Sequence, residues 1–186
     1  MPLSTFNPAA YDQLLADKLA HYRPLFDQLD FTEPQVFTSP KSHYRMRAEF
    51  RMWHDEERLN YVMFKKESPK VPVEIHDFPI ASKKITELMP LLRDKLQAND
   101  ELRRKLFQVE FLSTPTGDML VSLLYHKKLD ENWSIEATKL SDELNIKTIG
   151  RARKQKFVIG NDFVTENLTI DKREYKYRQF ENAFTQ

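Results

Sequence analysis

Between Ser39 and His54 the chain reads SPKSHYRMRAEFRMWH, and charged and aromatic residues there alternate with apolar ones. Successive side chains of a β-strand point to opposite faces. From Tyr44 onward, one face of such a strand carries Tyr44, Met46, Ala48, Phe50 and Met52, an apolar set suited to a core. The other carries Arg45, Arg47, Glu49, Arg51 and Trp53. Three guanidiniums with one carboxylate among them and an indole at the end suit phosphate groups and unstacked bases, because a guanidinium fork meets phosphate oxygens in pairs. The same alternation also describes an ordinary solvated sheet face, whose exposed ion pairs contribute ~0–1 kcal/mol each.

Two further places could contact an anion or a base. Phe107 lies in KLFQVEF at 105–111, in phase with Val109 and Phe111, so its first expectation is core packing. It also opens a strand, where an aromatic can protrude and fill the gap left by an extruded nucleotide. Base–aromatic stacking contributes about 1–3 kcal/mol. His126, between Tyr125 and Lys127-Lys128, stands at a strand end, where histidine commonly serves as a structural hydrogen-bonding group. A second basic patch, Lys147 to Lys156, holds Lys147, Arg151, Arg153, Lys154 and Lys156 with no acid among them.

Absences narrow the chemistry. The chain has no cysteine, which excludes disulfides, thiolate metal sites and cysteine nucleophiles within it. Its three glycines, Gly117, Gly150 and Gly160, are too scattered for a dinucleotide or phosphate loop. His21, His43, His54 and His76 form no i, i+4 pair and no H-x-H, so no metal is expected. The acidic run Asp55-Glu56-Glu57 lacks the spacing of a calcium loop and reads as a solvated turn.

Five blocks resemble the tRNA (uracil-5-)-methyltransferases, which make ribothymidine in the T-loop of tRNA. They are SPxSHYRMRAEFRxWHD from Ser39, KLFQ at 105–108, SLLYHKKLD at 122–130, IGRA at 149–152 and YRQFENAFTQ at 177–186. The resemblance runs from about Tyr11 to the last residue. In that family a cysteine thiolate adds to carbon 6 of uracil, S-adenosylmethionine methylates carbon 5, and a glutamate removes the carbon 5 proton. The target uridine must first leave its stack. The resemblance therefore implies that residues 1–186 are an N-terminal RNA-recognition domain, with the S-adenosylmethionine-binding catalytic domain absent after 186. It implies RNA contacts from Arg45, Arg47, Glu49, Arg51, Phe107 and His126, with the tRNA T-arm as partner. In the F-x-Q motif, matched by Phe184-Thr185-Gln186, the glutamine contacts S-adenosylmethionine. Without nucleophile and cofactor domain, the chain alone is expected to be inactive. A free-standing RNA-binding module that never carried a catalytic domain is the alternative.

The elements that must position these residues follow from patterning. Forty per cent hydrophobic residues, 12% of all residues being aromatic, suffice for a core, and a net charge of +1 confines any nucleic-acid site to a local patch. Asn7-Pro8 predicts a helix start, with Pro24 stopping or kinking the helix. Strands are expected at 43–54, 59–64 and 71–75, then at 105–113, 118–126, 146–153, 156–159 and 174–180. Helices are expected after Ser82, with Pro90 demanding a kink or late start, and over 133–144. Hairpins interrupted by helices indicate an α+β fold, a mainly antiparallel sheet with helices covering one face. No basic leader and no apolar run of membrane-spanning length is present, so a cytoplasmic protein is expected; a monomer is expected separately.

Overall fold

The computed structural model describes residues 6–26, 34–56, 58–65 and 68–183. Its chain order is α1 (Tyr11–Tyr22), β1 (Arg47–Asp55), β2 (Arg58–Lys65), β3 (Ser68–Glu74), α2 (Lys83–Ala98), α3 (Asp100–Arg103), β4 (Leu106–Ser113), β5 (Met119–Tyr125), α4 (Glu131–Leu144), β6 (Lys147–Ala152), β7 (Gln155–Ile159), β8 (Phe163–Ile170) and β9 (Arg173–Phe180). Seven strands form one sheet in the order β3-β2-β1-β4-β5-β6-β7, and β8 with β9 makes a separate ribbon. All pairings are antiparallel except β5 with β6, which are parallel and joined through α4. The expected α+β architecture is therefore present, with one parallel pair that hairpin reasoning did not anticipate.

Helix positions follow local chemistry. Ser82 Oγ accepts the amide of Ile85 at 3.3 Å and starts α2, whose Ile85, Leu88, Met89, Leu92 and Leu96 are all buried. Asp130 caps α4 through the amide of Trp133 at 3.0 Å, and α4 ends where Asn145 turns left-handed. Pro90 neither ends α2 nor delays it. It is exposed, so the carbonyl deprived of its partner lies on the solvent side, where water can satisfy it.

The helices cover one face of the sheet. Ala48, Phe50 and Met52 of β1, Val109 and Phe111 of β4 and Val121 and Leu123 of β5 meet α2 and α4 there. Burial of each large side chain contributes about 1.5–3 kcal/mol. The opposite face stays largely uncovered, apart from a small cluster of Leu112, Leu120, Ile149 and Val164, where the base of β8 seats on the sheet.

Three expectations are corrected. The strand begins at Arg47 and not at 43: His43 has φ of 56°, and Arg45 makes only an isolated bridge to Ala81. Tyr44, expected on the core face, is consequently exposed. Strand β8 had no counterpart in the expected elements, because FVTENLTI has only a broken apolar alternation and is held mainly by its pairing with β9.

Candidate nucleic-acid interface

Strand register arranges the uncovered face into rows. Arg51 opposes Gln108, which opposes Leu124, which opposes Arg151. In the next row Glu49 opposes Glu110, then Ser122, then Ile149. A third row runs from Arg47 through Leu112 and Leu120 to Lys147. The polar residues of β1 thus meet Gln108, Glu110, Ser122 and the basic residues of β6, with Leu112, Leu120, Leu124 and Ile149 interspersed among them.

The pairing of β4 with β5 slips between Leu106 and Gln108, a β-bulge at Phe107. A bulge adds one residue and re-aims the side chain it carries. Leu106 and Val109 remain in the core, while Phe107, which strict alternation would bury, is only half-buried. Its ring lies flat on the exposed imidazole of His126, centroids 3.9 Å apart and planes 13° from parallel. The Arg51 guanidinium carbon lies 5.2 Å from the same ring centroid, within cation–π range. His126 is fixed through its backbone, which donates to the carbonyl of Lys105 at 2.9 Å.

Arg45, Glu49, Arg51, Phe64 and Gln108 surround a shallow depression of about 410 Å³ on one side of this stack. On the other side, Phe107 and His126 line a groove of about 700 Å³ whose further walls include Lys128, Arg151, Arg153 and Lys154. Among the described residues, no acidic one lines that groove. Five of the six expected RNA-contacting residues therefore lie on one continuous surface.

Arg47 is the exception. Its Nη2 donates to the backbone carbonyls of Glu181 at 2.7 Å and Ala183 at 3.3 Å, tying the segment after β9 to the sheet. Glu181, 5% exposed, is the centre of that tether. Its carboxylate pairs with Arg151 and accepts from Ser122 Oγ at 3.2 Å, with Lys156 3.5 Å away. Burial pushes the Glu181 carboxyl up, but Arg151, Lys156 and Ser122 outweigh this and hold it below the usual carboxylate range. Glu110 behaves oppositely. Burial raises it, and the neighbouring carboxylates of Glu49 and Glu181 add to the rise against the hydrogen bond from Gln108.

The second basic patch is largely neutralised. Lys147 pairs with Asp118, Arg151 with Glu181, and Lys156 with Asp162. Lys127 is likewise paired with Glu101, and Tyr125 is buried with its hydroxyl donating to the Leu102 carbonyl. Gly150, in the IGRA block, has a packing role: a Cβ there would stand 2.2 Å from the Trp133 ring. Gln186 lies outside the described residues. Among the described residues, no group of three or more His, Asp or Glu is placed to hold a metal, and no helix is long and apolar enough to cross a membrane.

Sequence reasoning missed Glu181, whose signal was the one acid of the YRQFENAFTQ block, and Gln108, placed by register alone. Residues 10–186 match the family model described as tRNA (Uracil-5-)-methyltransferase. The chain is 48% identical over 186 residues to a tRNA/tmRNA (uracil-C(5))-methyltransferase of Aromatoleum aromaticum, covering all of this chain and 50% of that protein. A protein of the same description from Pseudomonas entomophila is 48% identical over 183 residues, 98% of this chain and 51% of its own length. The crystal structure of Pyrococcus abyssi tRNA (uracil-54, C5)-methyltransferase in complex with S-adenosyl-L-homocysteine shares the fold. Its TM-score is 0.65 at 15% identity, over 95% of this chain and 44% of that one.

Proposed function

Because the chain belongs to the tRNA (uracil-5-)-methyltransferase family, we propose that it is the RNA-recognition part of such an enzyme, gripping the T-arm of tRNA and helping to present the flipped uridine. The chain spans about half the length of the curated relatives it matches. The observation that carries the proposal is the Arg51–Phe107–His126 assembly on the uncovered sheet face.

Turning a base out of a folded loop leaves its neighbours unstacked and costs a few kcal/mol. A flat aromatic surface held by the backbone offsets that cost by stacking on what remains. Phe107 and His126 supply such a surface. Arg45 and Arg51 flank it with guanidiniums suited to phosphate oxygens, and Glu49 offers an acceptor for base or ribose donors. Arg47 contributes indirectly, by holding the segment that follows β9.

Methyl transfer would use S-adenosylmethionine in the whole enzyme. This chain has no cysteine to serve as nucleophile and no glycine-rich loop. Gln186, which the F-x-Q resemblance assigns to that cofactor, lies outside the described residues, and the part proposed for the described ones is RNA recognition.

The test is binding of a T-arm hairpin by the 186-residue chain in a salt titration, beside a scrambled hairpin of equal length. Preference for the T-arm with a marked salt dependence is expected. Equal binding of both hairpins would reduce the interaction to non-specific attraction.

A further inference from the structure

The groove beside Phe107 and His126 is lined by more cations than the proposed contacts use. Lys127 and Arg151 are paired with Glu101 and Glu181, which leaves Lys128, Arg153 and Lys154. All three are exposed, and among the described residues none has an ion-pair partner.

These three side chains stand on two loops that are fastened together. Ala152 pairs with Gln155, so Arg153 and Lys154 form the whole turn between β6 and β7. The Gln155 side chain then grips the backbone of Leu129 at both ends, accepting its amide at 3.0 Å and donating to its carbonyl at 3.1 Å. Leu129 is buried, and Lys128 immediately precedes it. The turn and the Lys128 loop are thereby held side by side before any ligand arrives. Lys154 takes φ of 61°, a conformation that glycine would adopt more easily, yet the position carries a charge.

We propose that Lys128, Arg153 and Lys154 form a phosphate-binding rim for the RNA strand that leaves the Phe107–His126 surface. The inference rests on the T-arm reading above and extends it to residues that lie beyond the stacked rings from Arg45 and Arg51. Each cation that meets a phosphate releases counterions, which fixes the measurable signature. The slope of log K against log salt falls by about 0.7–0.9 for each phosphate left without its cation.

The experiment uses the 186-residue chain and a T-arm RNA hairpin, with the triple variant Lys128→Ala, Arg153→Ala, Lys154→Ala. A control triple variant, Lys83→Ala, Lys95→Ala, Lys139→Ala, removes equal charge from the helix-covered side. The rim variant should keep the wild-type melting temperature, bind ~10-fold or more weakly at low salt, and show a slope smaller by about 2. The control variant should keep both affinity and slope. Wild-type binding by the rim variant, or equal weakening in both variants, would overturn the rim while leaving the T-arm reading intact. Failure of the wild-type chain to prefer the T-arm hairpin would overturn both together.

Discussion

Phe107, at a bulge in β4, and His126, just past the end of β5, lie ring against ring with centroids 3.9 Å apart and planes 13° from parallel. Neither ring is part of the core, so removing one is expected to affect binding more than folding. Phe107→Ala should weaken T-arm binding by about 1–3 kcal/mol with an unchanged salt slope, because no counterion is displaced by a stacked base. Phe111→Ala, four residues along and 1% exposed, should instead lower stability by about 3–5 kcal/mol. Thermal melts beside salt-titrated binding separate the two. A Phe107 variant as unstable as the Phe111 variant would assign Phe107 to packing alone.

Arg51 and Arg47 share a strand face and should part in their effects. Arg51 is exposed over Phe107, and Arg51→Ala should lower the salt slope by about 0.7–0.9 with little change in melting temperature. Arg47 spends its guanidinium on the carbonyls of Glu181 and Ala183. Arg47→Ala should cost stability of about 1.5–3 kcal/mol, the range for hydrogen bonds made by charged groups. Denaturant melts that rank the two variants in reverse order would contradict this division.

The carboxylates beside them predict opposite pH responses. Glu181 is held below its ordinary value, so its contribution is complete above that value and is lost as pH falls through the lowered one. Glu181→Gln should therefore be less stable than wild type at neutral pH, with the gap closing in acid. Glu110 is raised, chiefly by burial, so its ionised form costs stability at neutral pH. Glu110→Gln keeps the oxygen that accepts from Gln108 at 2.7 Å and should melt higher than wild type at neutral pH. That gain should fade as pH falls through the raised value. Melting temperatures of the three proteins across an acid titration would show both trends.

Incubated with labelled S-adenosylmethionine and unmodified tRNA, the chain alone should transfer no methyl group, since it contains no cysteine. Label in the T-loop above a buffer control would refute this.

The alternation of β1 was readable because Ala48, Phe50 and Met52 are buried and Glu49, Arg51 and Trp53 exposed, a strict period of two. Helices α2 and α4 were readable for the same reason at their own period, with Ser82 marking the start of α2, whereas the Asp130 cap of α4 and the single turn of α3 were not read. What was not readable depended on partners distant in sequence. Phe107 escapes the core through a slip in its pairing with β5, and nothing in KLFQVEF announces that slip. Arg47 resembles its neighbours in sequence and differs only because Glu181 and Ala183 return to meet it. The basic run from Lys147 to Lys156 looked free of acids because Asp118, Asp162 and Glu181 lie outside it.

The register of β1 against β4 also bears on how the molecule folds. Hairpins such as β1–β2 and β6–β7 close over a few residues, whereas Arg51 meets Gln108 only after a loop of roughly 60 residues has closed, a late and slow event in a chain of this topology. The Arg51–Phe107 contact cannot exist before that closure. A partly folded chain can hold its hairpins and helices and still present no RNA surface. Affinity for the T-arm should accordingly return only with the slowest refolding phase, which makes RNA capture a reporter of complete sheet assembly.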